Sequence, residues 1–356
     1  LVSRIKILAN LKIDEHRIPQ DGQFAVKAAG KEIDLRISIS PVVWGEQVVI
    51  RLLDKSGSSF NLEQMGYKGR ALRTIRKGIK KPNGMVLTSG PTGSGKSTSL
   101  YALLQEVKNE TINIVTLEDP VEYKMKGVNQ IQVNADVGLT FANGLRSILR
   151  QDPDVVMVGE IRDKETAELA IQASLTGHLV FSTLHTNSAA GVLPRLLDMG
   201  IEPFLIASTV NTIIGQRLVR RIAPDRETYQ STDVETKAIL DHIGHLLPKT
   251  QADAQKVCED LGAEDLPLGG QKAYTLTKGK DSPRTPGGYS GRVGLYEVVD
   301  VTEEIQNLII ARATSNQIEK VAIEQGLVTM AQDGYLKVLQ GLTSIEEVNR
   351  VAAGGD

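Results

Sequence analysis

The chain has 356 residues, of which 41% are hydrophobic and 24% charged, as expected for a soluble globular protein of about two to three domains. Lys and Arg number 41 and Asp and Glu 43, so no overall field draws the chain to nucleic acid or anionic lipid. No apolar run approaches the ~18 residues of a membrane span and no signal peptide opens the chain, so we expect membrane contact only through a partner.

Residues 1–55 predict a small α/β domain, with strands at 23–27, 32–39 and 47–53. Arg36 and Arg51 stand on two of these strands. They either pair at the surface with Asp34 or Asp54, or they are cations aimed at a nucleotide. The residues alone favour surface pairing, because most strand arginines are solvated.

A polar, flexible linker is predicted at Ser56–Ser59, and a basic helix at 68–81 whose charges most simply form a solvated face. From residue 85 to 224, strands and helices alternate. This pattern is typical of a parallel sheet that is covered by helices on both faces.

Residues 90–97, with the sequence Gly-Pro-Thr-Gly-Ser-Gly-Lys-Ser, fit the phosphate-binding loop G-x-x-x-x-G-K-[ST]. A strand is predicted before the loop and a helix after it, so free N–H groups and the helix dipole would point at an anion. Lys96 would reach the β- and γ-phosphates of ATP, and the Ser97 hydroxyl would hold Mg²⁺. The residues predicted to contact the nucleotide are Gly90, Pro91, Thr92, Gly93, Ser94, Gly95, Lys96, Ser97 and Thr98.

Three further predicted strands end in chemically active residues: 112–117 before Glu118, 155–158 before Glu160, and 179–184 before His185. Ligands of such sheets bind beyond the carboxyl ends of the strands, so these side chains and Glu122 are expected around the phosphate loop. Glu160 stands where a Walker B acid would, in place of the commoner Asp. For one carboxylate the alternative is a helix cap, as we expect for Asp163. For His178 or His185 alone it is a structural role.

A helix is predicted over 140–151, which puts Arg146 and Arg150 on one face at i, i+4. Like charges at this spacing destabilise a helix by a few tenths of a kcal/mol unless an anion lies opposite them. A phosphate or an acidic neighbour would supply that anion.

Residues 225–288 predict a surface insertion with two short helices, and 289–356 a helical region punctuated by capping boxes at Thr314 and Ser344. His242 and His245 are two candidate metal ligands, but Cys258, the single cysteine, is far away in sequence. Structural zinc requires four ligands, so zinc is not expected. One cysteine also excludes an intramolecular disulfide bond.

Taken together, these motifs resemble the secretion ATPase superfamily, the hexameric motors of type II secretion and type IV pilus assembly, and most of all its extension-motor branch. Matching segments are 17–22, 34–38, 45–46, 51–54, the phosphate loop, 116–123, 145–154, 159–163, 177–178 and 182–187. The resemblance begins inside the second domain of the family. The upstream docking module is missing, so we expect the chain to be a fragment.

The resemblance implies α/β architecture: a partial N-terminal α/β domain (1–58), a RecA-like P-loop ATPase domain (59–224), the insertion (225–288) and a C-terminal helical subdomain (289–356). It also implies catalytic roles. Glu118 would orient or deprotonate the attacking water, Glu160 would hold the Mg²⁺ shell through water, and His178 and His185 would sense the γ-phosphate. Arg36, Arg51, Arg146 and Arg150 would be nucleotide-facing or interface arginines, which reverses the preference for surface pairing. The four-cysteine metal loop of many members is absent after Arg221.

The implied function is Mg²⁺-dependent ATP hydrolysis by a homohexamer at the cytoplasmic face of an inner membrane. Its partners would be a platform protein of a pilus or secretion machine and the partner that the missing docking module binds. Three alternatives stay open: a pilus-retraction motor, a nucleic-acid translocase and a catalytically dead scaffold ring. Aromatic residues are only 4% and the net charge is −2, which disfavours nucleic acid as a partner.

Overall fold

A computed structural model describes residues 1–28, 30–54 and 61–352. The chain divides into two compact units, Leu1–Ser59 and Phe60–Asp356. The predicted linker Ser56–Ser59 lies outside the described residues, as does Ala29 of the first predicted turn. The finer division into four segments stays a prediction. None of the described helices combines the length and the hydrophobicity needed to cross a lipid bilayer.

The first unit is a helix on a three-stranded antiparallel sheet in the order β1-β2-β3, formed by α1 (Val2–Leu8), β1 (Gln20–Ala28), β2 (Lys31–Val42) and β3 (Gly45–Asp54). Ile37 and Ile39 are buried because alternate residues of β2 face the helix. The other face of the sheet carries Arg36 and Arg51, which lie directly opposite each other in the register of β2 and β3.

The second unit is built on a seven-stranded sheet in the order β12-β9-β4-β8-β7-β5-β6. Its strands are β4 (Gly84–Ser89), β5 (Ile114–Glu118), β6 (Asn129–Gln132), β7 (Val155–Val158), β8 (Leu179–Leu184), β9 (Val210–Ile222) and β12 (Tyr289–Asp300). Strands β4 to β9 run parallel, and β12 pairs antiparallel with β9 at one edge. This confirms the expected mixed α/β fold with a mainly parallel sheet.

Helices cover both faces of this sheet, which is why strands β4, β5, β7 and β8 are buried along their whole length. One face packs against α3 (Gly69–Ile79) and α4 (Lys96–Val107), which follow the short α2 (Leu62–Met65). The opposite face packs against α5 (Phe141–Ile148), α6 (Lys164–Leu175), α7 (Val192–Asp198), α8 (Pro203–Thr209), α11 (Glu303–Ile310) and α12 (Ser315–Glu324).

The segment 225–288 forms a small module with its own core. It contains the two predicted helices, α9 (Asp233–Ile243) and α10 (Gln251–Leu261), and a two-stranded sheet of β10 (Arg226–Gln230) and β11 (Thr275–Gly279) that the sequence analysis missed. Its core continues into α13 (Met330–Leu339) and α14 (Ile345–Ala352). His242 stacks on Tyr335, and Cys258 is buried. No three potential metal ligands of the His, Cys, Asp and Glu types cluster anywhere in the part of the chain that the structure describes.

Two sequence predictions need correction here. The helical region expected from residue 289 begins with a strand, because Tyr289–Asp300 pairs with β9, an element about 70 residues earlier that no local pattern reveals. The helix expected at 140–151 ends at Ile148, and Asp152 beyond it has a positive φ. By contrast, Asp163 caps α6 as predicted, since its Oδ1 accepts the Thr166 N–H at 2.8 Å.

The C-terminal helices are tied to the sheet by one buried carboxylate, Glu347. It accepts hydrogen bonds from the Arg220 guanidinium at 2.7 and 2.9 Å and from the Arg350 guanidinium at 2.8 and 3.1 Å. Burial raises the pKa of Glu347, but these hydrogen bonds outweigh burial and hold the pKa at about 2. The pKa is therefore depressed in the folded state, so its stabilisation is complete above the unfolded-state value near 4.5 and is lost as the pH falls toward 2.

We predict that Glu347→Gln lowers the free energy of unfolding by about 2–3 kcal/mol at pH 7, because two arginines lose their counter-charge. The deficit should shrink as the pH falls through the window between 4.5 and 2. Urea unfolding at several pH values measures both effects, with the exposed neighbour Glu346→Gln as the control. A Glu347→Gln protein as stable as the control at pH 7 would contradict the assignment.

Candidate functional site

The glycine-rich loop joins β4 to α4 at the carboxyl edge of the parallel sheet, where the sequence analysis expected it. Three glycines have positive φ, Gly90 at 151°, Gly93 at 80° and Gly95 at 89°, and Gly95 is the N-cap of α4. A side chain at Gly90 would meet the carbonyl oxygen of Gln216 at 2.5 Å. The loop therefore turns its backbone toward the N-terminus of a helix, an arrangement that binds phosphate.

A buried hydrogen-bonded cluster supports the loop from below, and the sequence analysis missed it. The side-chain amide of Gln216 donates to the Ser94 carbonyl at 2.7 Å and accepts from the Ser99 hydroxyl at 2.7 Å and from Tyr67 at 3.2 Å. The ring of Tyr67 stacks on Tyr296 with 3.8 Å between centroids. These residues are far apart in sequence, and only the pairing of β9 with β4 and β12 brings them together.

Lys96 begins α4 and folds back over its own loop. Its Nζ donates to the carbonyl oxygens of Gly90 at 2.7 Å and Pro91 at 3.0 Å, and the residue is only 9% exposed. Burial lowers the pKa of Lys96, and Arg217 lowers it further, whereas Glu160 acts in the opposite direction. Among the described residues, only neutral carbonyls bond to this ammonium, and a desolvated ammonium in that state gains strongly from a phosphate.

Glu160, at the end of β7, lies among three charged or titratable groups. Its carboxylate contacts the Arg162 guanidinium at 2.5 Å and Nε2 of His185 at 3.5 Å. Its negative charge also raises the pKa of Lys96. Its hydrogen bond to Arg162 raises the pKa of that guanidinium. Strands β7 and β8 are neighbours, so their ends bring Glu160 and His185 together as predicted. Arg162 was not among the predicted site residues.

The donor set of the loop fits magnesium. Mg²⁺ prefers oxygen ligands and keeps several of its waters. The hydroxyl of Ser97 stands in the first turn of α4, and the carboxylate of Glu160 is close enough to Lys96 to affect its pKa. Ser97 and Glu160 are therefore the residues that would hold Mg²⁺, which would supply positive charge beside the phosphates.

Glu118 ends β5 and is buried, at 4% exposure. One of its oxygens accepts from Thr116 at 2.6 Å and Gln130 at 3.1 Å, and the other accepts from the Tyr101 hydroxyl. The side chain thus ties α4 to the sheet through three of the roughly four acceptor positions of its carboxylate. The role of Glu118 toward water stays a prediction. The carboxylate of Glu122 is half-buried and has no bonded partner among the described residues, while its N–H donates to Tyr101 at 3.2 Å.

The remaining predicted residues lie at several places. His178 sits at the start of β8, where its Nδ1 is 2.8 Å from the Ala173 carbonyl oxygen. His178 precedes the six residues of β8 and His185 follows them, so the two are seven residue steps apart, or about 23 Å at ~3.3 Å per residue. The structure therefore does not bring His178 to the phosphate loop of its own chain. Arg36 and Arg51 belong to the first unit and are described above.

Arg146 has the acidic neighbour that the charge pattern called for. Its guanidinium hydrogen-bonds Glu165 of α6 and the side-chain oxygen of Asn143, the latter at 3.1 Å. Arg150 stands beyond the end of α5, so the two arginines do not share a helix face. Within the described ranges Arg150 makes no ion pair.

A cavity of about 860 Å³ opens beside the phosphate loop. Its walls combine the loop with the supporting strands and the 225–288 module, and include Ser94, Gly95, Thr98, Leu218, Arg221 and Arg292. A pocket of this size and mixed polarity can accommodate the rest of a nucleotide whose phosphates occupy the loop.

The fold and the loop together define an α/β phosphate-binding protein of the P-loop class. The chain belongs to the Type II/IV secretion system protein family, which matches residues 1–350. It is 46% identical over 353 residues to Type II secretion system protein E of Pseudomonas aeruginosa, covering 99% of this chain and 65% of that protein. It is 42% identical over 349 residues to the type IV pilus assembly ATPase PilB of Myxococcus xanthus, covering 98% and 58%. The chain thus spans less than two thirds of these relatives.

Among solved structures, the pilus retraction motor PilT with bound ADP is similar in fold. The TM-score is 0.65 at 27% identity, and the match covers 94% of this chain and 78% of PilT. The family predicted from the motifs is therefore confirmed.

We predict that Gly90→Ala weakens binding of Mg·ATP more than tenfold, because the new methyl group would collide with the Gln216 carbonyl and displace the loop. Gly138→Ala is the matched control. Gly138 also has a positive φ, 74°, but nothing lies within 4 Å of its added methyl group, so it should cost ~1 kcal/mol of stability and leave binding unchanged. Calorimetric titration measures the binding. Equal affinities in the two variants would show that the close approach at Gly90 is not needed.

Proposed function

We propose that this chain is the catalytic core of an Mg²⁺-dependent ATPase that drives type IV pilus assembly or type II protein secretion. The observation that carries the proposal is the buried Lys96 of the phosphate loop, which has no anion in direct contact among the described residues and whose pKa Glu160 raises. Phosphoryl transfer needs positioning and charge neutralisation above all, and this arrangement supplies both.

The comparisons favour the assembly and secretion branch over the retraction branch. Relatives named for type II secretion and pilus assembly are 42–46% identical, whereas the retraction motor PilT is 27% identical. By analogy with these secretion and pilus-assembly relatives, we place the chain at the cytoplasmic face of an inner membrane, where a platform protein would bind it. A docking partner would be bound by the part of the relatives that this chain does not span. Neither zinc nor nucleic acid has a place in the proposal.

In the proposed reaction, Lys96 and the N-terminus of α4 bind the phosphates. Mg²⁺, when bound, would neutralise charge on the β- and γ-phosphates between Ser97 and Glu160. Glu160 is in turn held by Arg162. His185, 3.5 Å from Glu160 and half exposed, is positioned to contact the γ-phosphate side of the site. His178 has no role in this proposal within one chain, because it lies at the amino-terminal end of β8, whereas the phosphate loop lies at the carboxyl ends of the strands.

The loop after β5 would supply the carboxylate that orients the attacking water. Glu118 was the first candidate, but three donors occupy its oxygens. Glu122 is four residues later, and its carboxylate has no such partners within the described ranges. We therefore propose that Glu122 orients the attacking water and that Glu118 holds Tyr101, and with it α4, in place.

We predict that Glu122→Gln retains ATP binding but loses ~10²-fold or more of the hydrolysis rate, because an amide cannot accept a proton from water. Glu118→Gln should lose less than tenfold and should unfold at a lower temperature. Lys96→Ala should lose nucleotide binding itself. Steady-state phosphate release together with direct ATP binding separates the three cases. The opposite ranking, with Glu118→Gln inactive and Glu122→Gln at the parent rate, would return the role to Glu118.

We further propose that the chain acts as a homohexamer whose active sites are completed by arginines of a neighbouring subunit. Two features support this proposal: Arg150 lies beyond its helix without an ion pair among the described residues, and the similar proteins include an assembly ATPase, PilB, and a retraction motor, PilT. A trans arginine can contribute ~10³–10⁵ in rate and would couple neighbouring sites. Arg146, bonded to Glu165, is the weaker candidate.

Mixing two inactive variants tests the trans arrangement. We predict that Lys96→Ala and the double variant Arg146→Ala/Arg150→Ala regain ATPase activity when they co-assemble, because some interfaces then join an intact phosphate loop to intact arginines. The single variants Arg146→Ala and Arg150→Ala show which arginine is responsible, and we expect Arg150. Co-assembled but inactive mixtures would exclude trans action by this pair.

A further inference from the structure

Arg217 lies beside the phosphate loop but belongs to none of the motifs. It stands on β9, two residues beyond Gly215, which pairs with Ser89 at the end of β4. Side chains alternate along a strand, so Arg217 points to the face opposite the Gln216 amide that supports the loop. That face carries the segment after β8, and Nη2 of Arg217 donates to the Asn187 carbonyl oxygen at 2.9 Å.

The second terminal nitrogen of Arg217 has no such partner. The residue is 8% exposed, and Nη1 is fully buried without a hydrogen bond to any described residue. A buried charged donor without an acceptor costs more than the 1–3 kcal/mol of a neutral one. A fold keeps such a group when something else, which binds at that place, accepts the hydrogen bond.

The charges around Arg217 point to an anion. Burial lowers the pKa of Arg217, and Arg217 and Lys96 are close enough to repel each other. The carboxylate that faces Arg217 is Glu297, but it is occupied by other groups. Its oxygens accept the backbone N–H groups of Ala189 at 2.6 Å and Met330 at 3.2 Å. Lys96 and Arg217 are thus two buried cations near one loop, and neither forms an ion pair with a carboxylate of the described residues, although Glu160 acts on Lys96 and Glu297 acts on Arg217 at longer range.

From this juxtaposition we propose that Arg217 binds the terminal phosphate of ATP within its own chain, next to Lys96, and makes the site prefer a triphosphate to a diphosphate. The inference rests on the proposed function, because it assumes that ATP occupies the loop. Nη1 donates to a γ-phosphate oxygen while Nη2 retains its hydrogen bond to the carbonyl oxygen of Asn187. The planar guanidinium can make both hydrogen bonds at once, whereas a lysine has only one nitrogen.

Through this contact, binding or loss of the γ-phosphate would also affect residues outside the loop. Asn187 is two residues after His185, and Glu297 binds the N–H of Ala189 in the same segment. Loss of the γ-phosphate would therefore leave Arg217 held only through this segment. That loss would first affect the position of this segment and of the start of α13, whose Met330 N–H also bonds to Glu297.

The test compares the dissociation constants of Mg·ATP and Mg·ADP by calorimetric titration of Arg217→Met. Methionine fills similar space without a charge, so the fold should be kept, and replacing a buried charge by an apolar group is often neutral for stability. We expect ATP binding to weaken about tenfold or more and ADP binding less than threefold, because one charged hydrogen bond is lost only to the γ-phosphate. Arg195→Met, an exposed arginine on α7, is the matched control and should leave both constants unchanged.

Two results would overturn the inference: ATP and ADP weakened by the same factor, as a purely structural arginine would give, or an ATP preference equal to that of the parent. If the methionine variant does not fold, Arg217→Gln decides by the same comparison, with the same expected result. Failure of the proposed function looks different, because the unsubstituted protein would then bind neither nucleotide.

Discussion

The phosphate loop keeps its shape because one buried amide holds it to the sheet. The amide nitrogen of Gln216 donates to the Ser94 carbonyl in the loop, and its amide oxygen accepts from the Ser99 hydroxyl of the following helix. If β9 shifted by one residue against β4, the amide would turn to the other face of the sheet and leave these partners unpaired. The register of two neighbouring strands is therefore the constraint on which the site depends.

Around this support the site has an uneven distribution of charge. Its cations, Lys96 and Arg217, are buried and hydrogen-bonded to neutral carbonyls. Two of its carboxylates are engaged elsewhere, because Glu160 contacts Arg162 and Glu118 accepts three side-chain hydrogen bonds. Among the described residues, neither cation forms an ion pair with a carboxylate. An electrostatic preference for a polyanion follows from this arrangement without any movement of the backbone.

The sequence predicted the features that depend on local pattern: the loop, the buried strands, the cap at Asp163 and the meeting of Glu160 with His185. Sequence-based prediction failed where the structure of a segment depends on a partner far away in the chain. Tyr289–Asp300 is a strand only because β9 is its neighbour, and Gln216, Arg217 and Tyr67 join the site only through the order of the strands. The hydrogen bonds that Glu118 accepts could not be predicted either, since its donors Tyr101 and Gln130 come from a helix and from an edge strand. The resemblance supplied the roles that pattern alone left open.

The antiparallel edge strand β12 has a consequence for how the protein is made. Tyr296, which stacks on Tyr67 and bonds to the Met65 carbonyl oxygen at 2.9 Å, belongs to this last strand of the sheet. During synthesis the loop and β9 leave the ribosome well before residue 289, so β9 stays an open edge while the whole 225–288 module is translated. That module delays completion of the nucleotide-binding sheet, and an open hydrophobic edge of this kind is a site where a nascent chain attracts chaperones or pairs with the wrong strand.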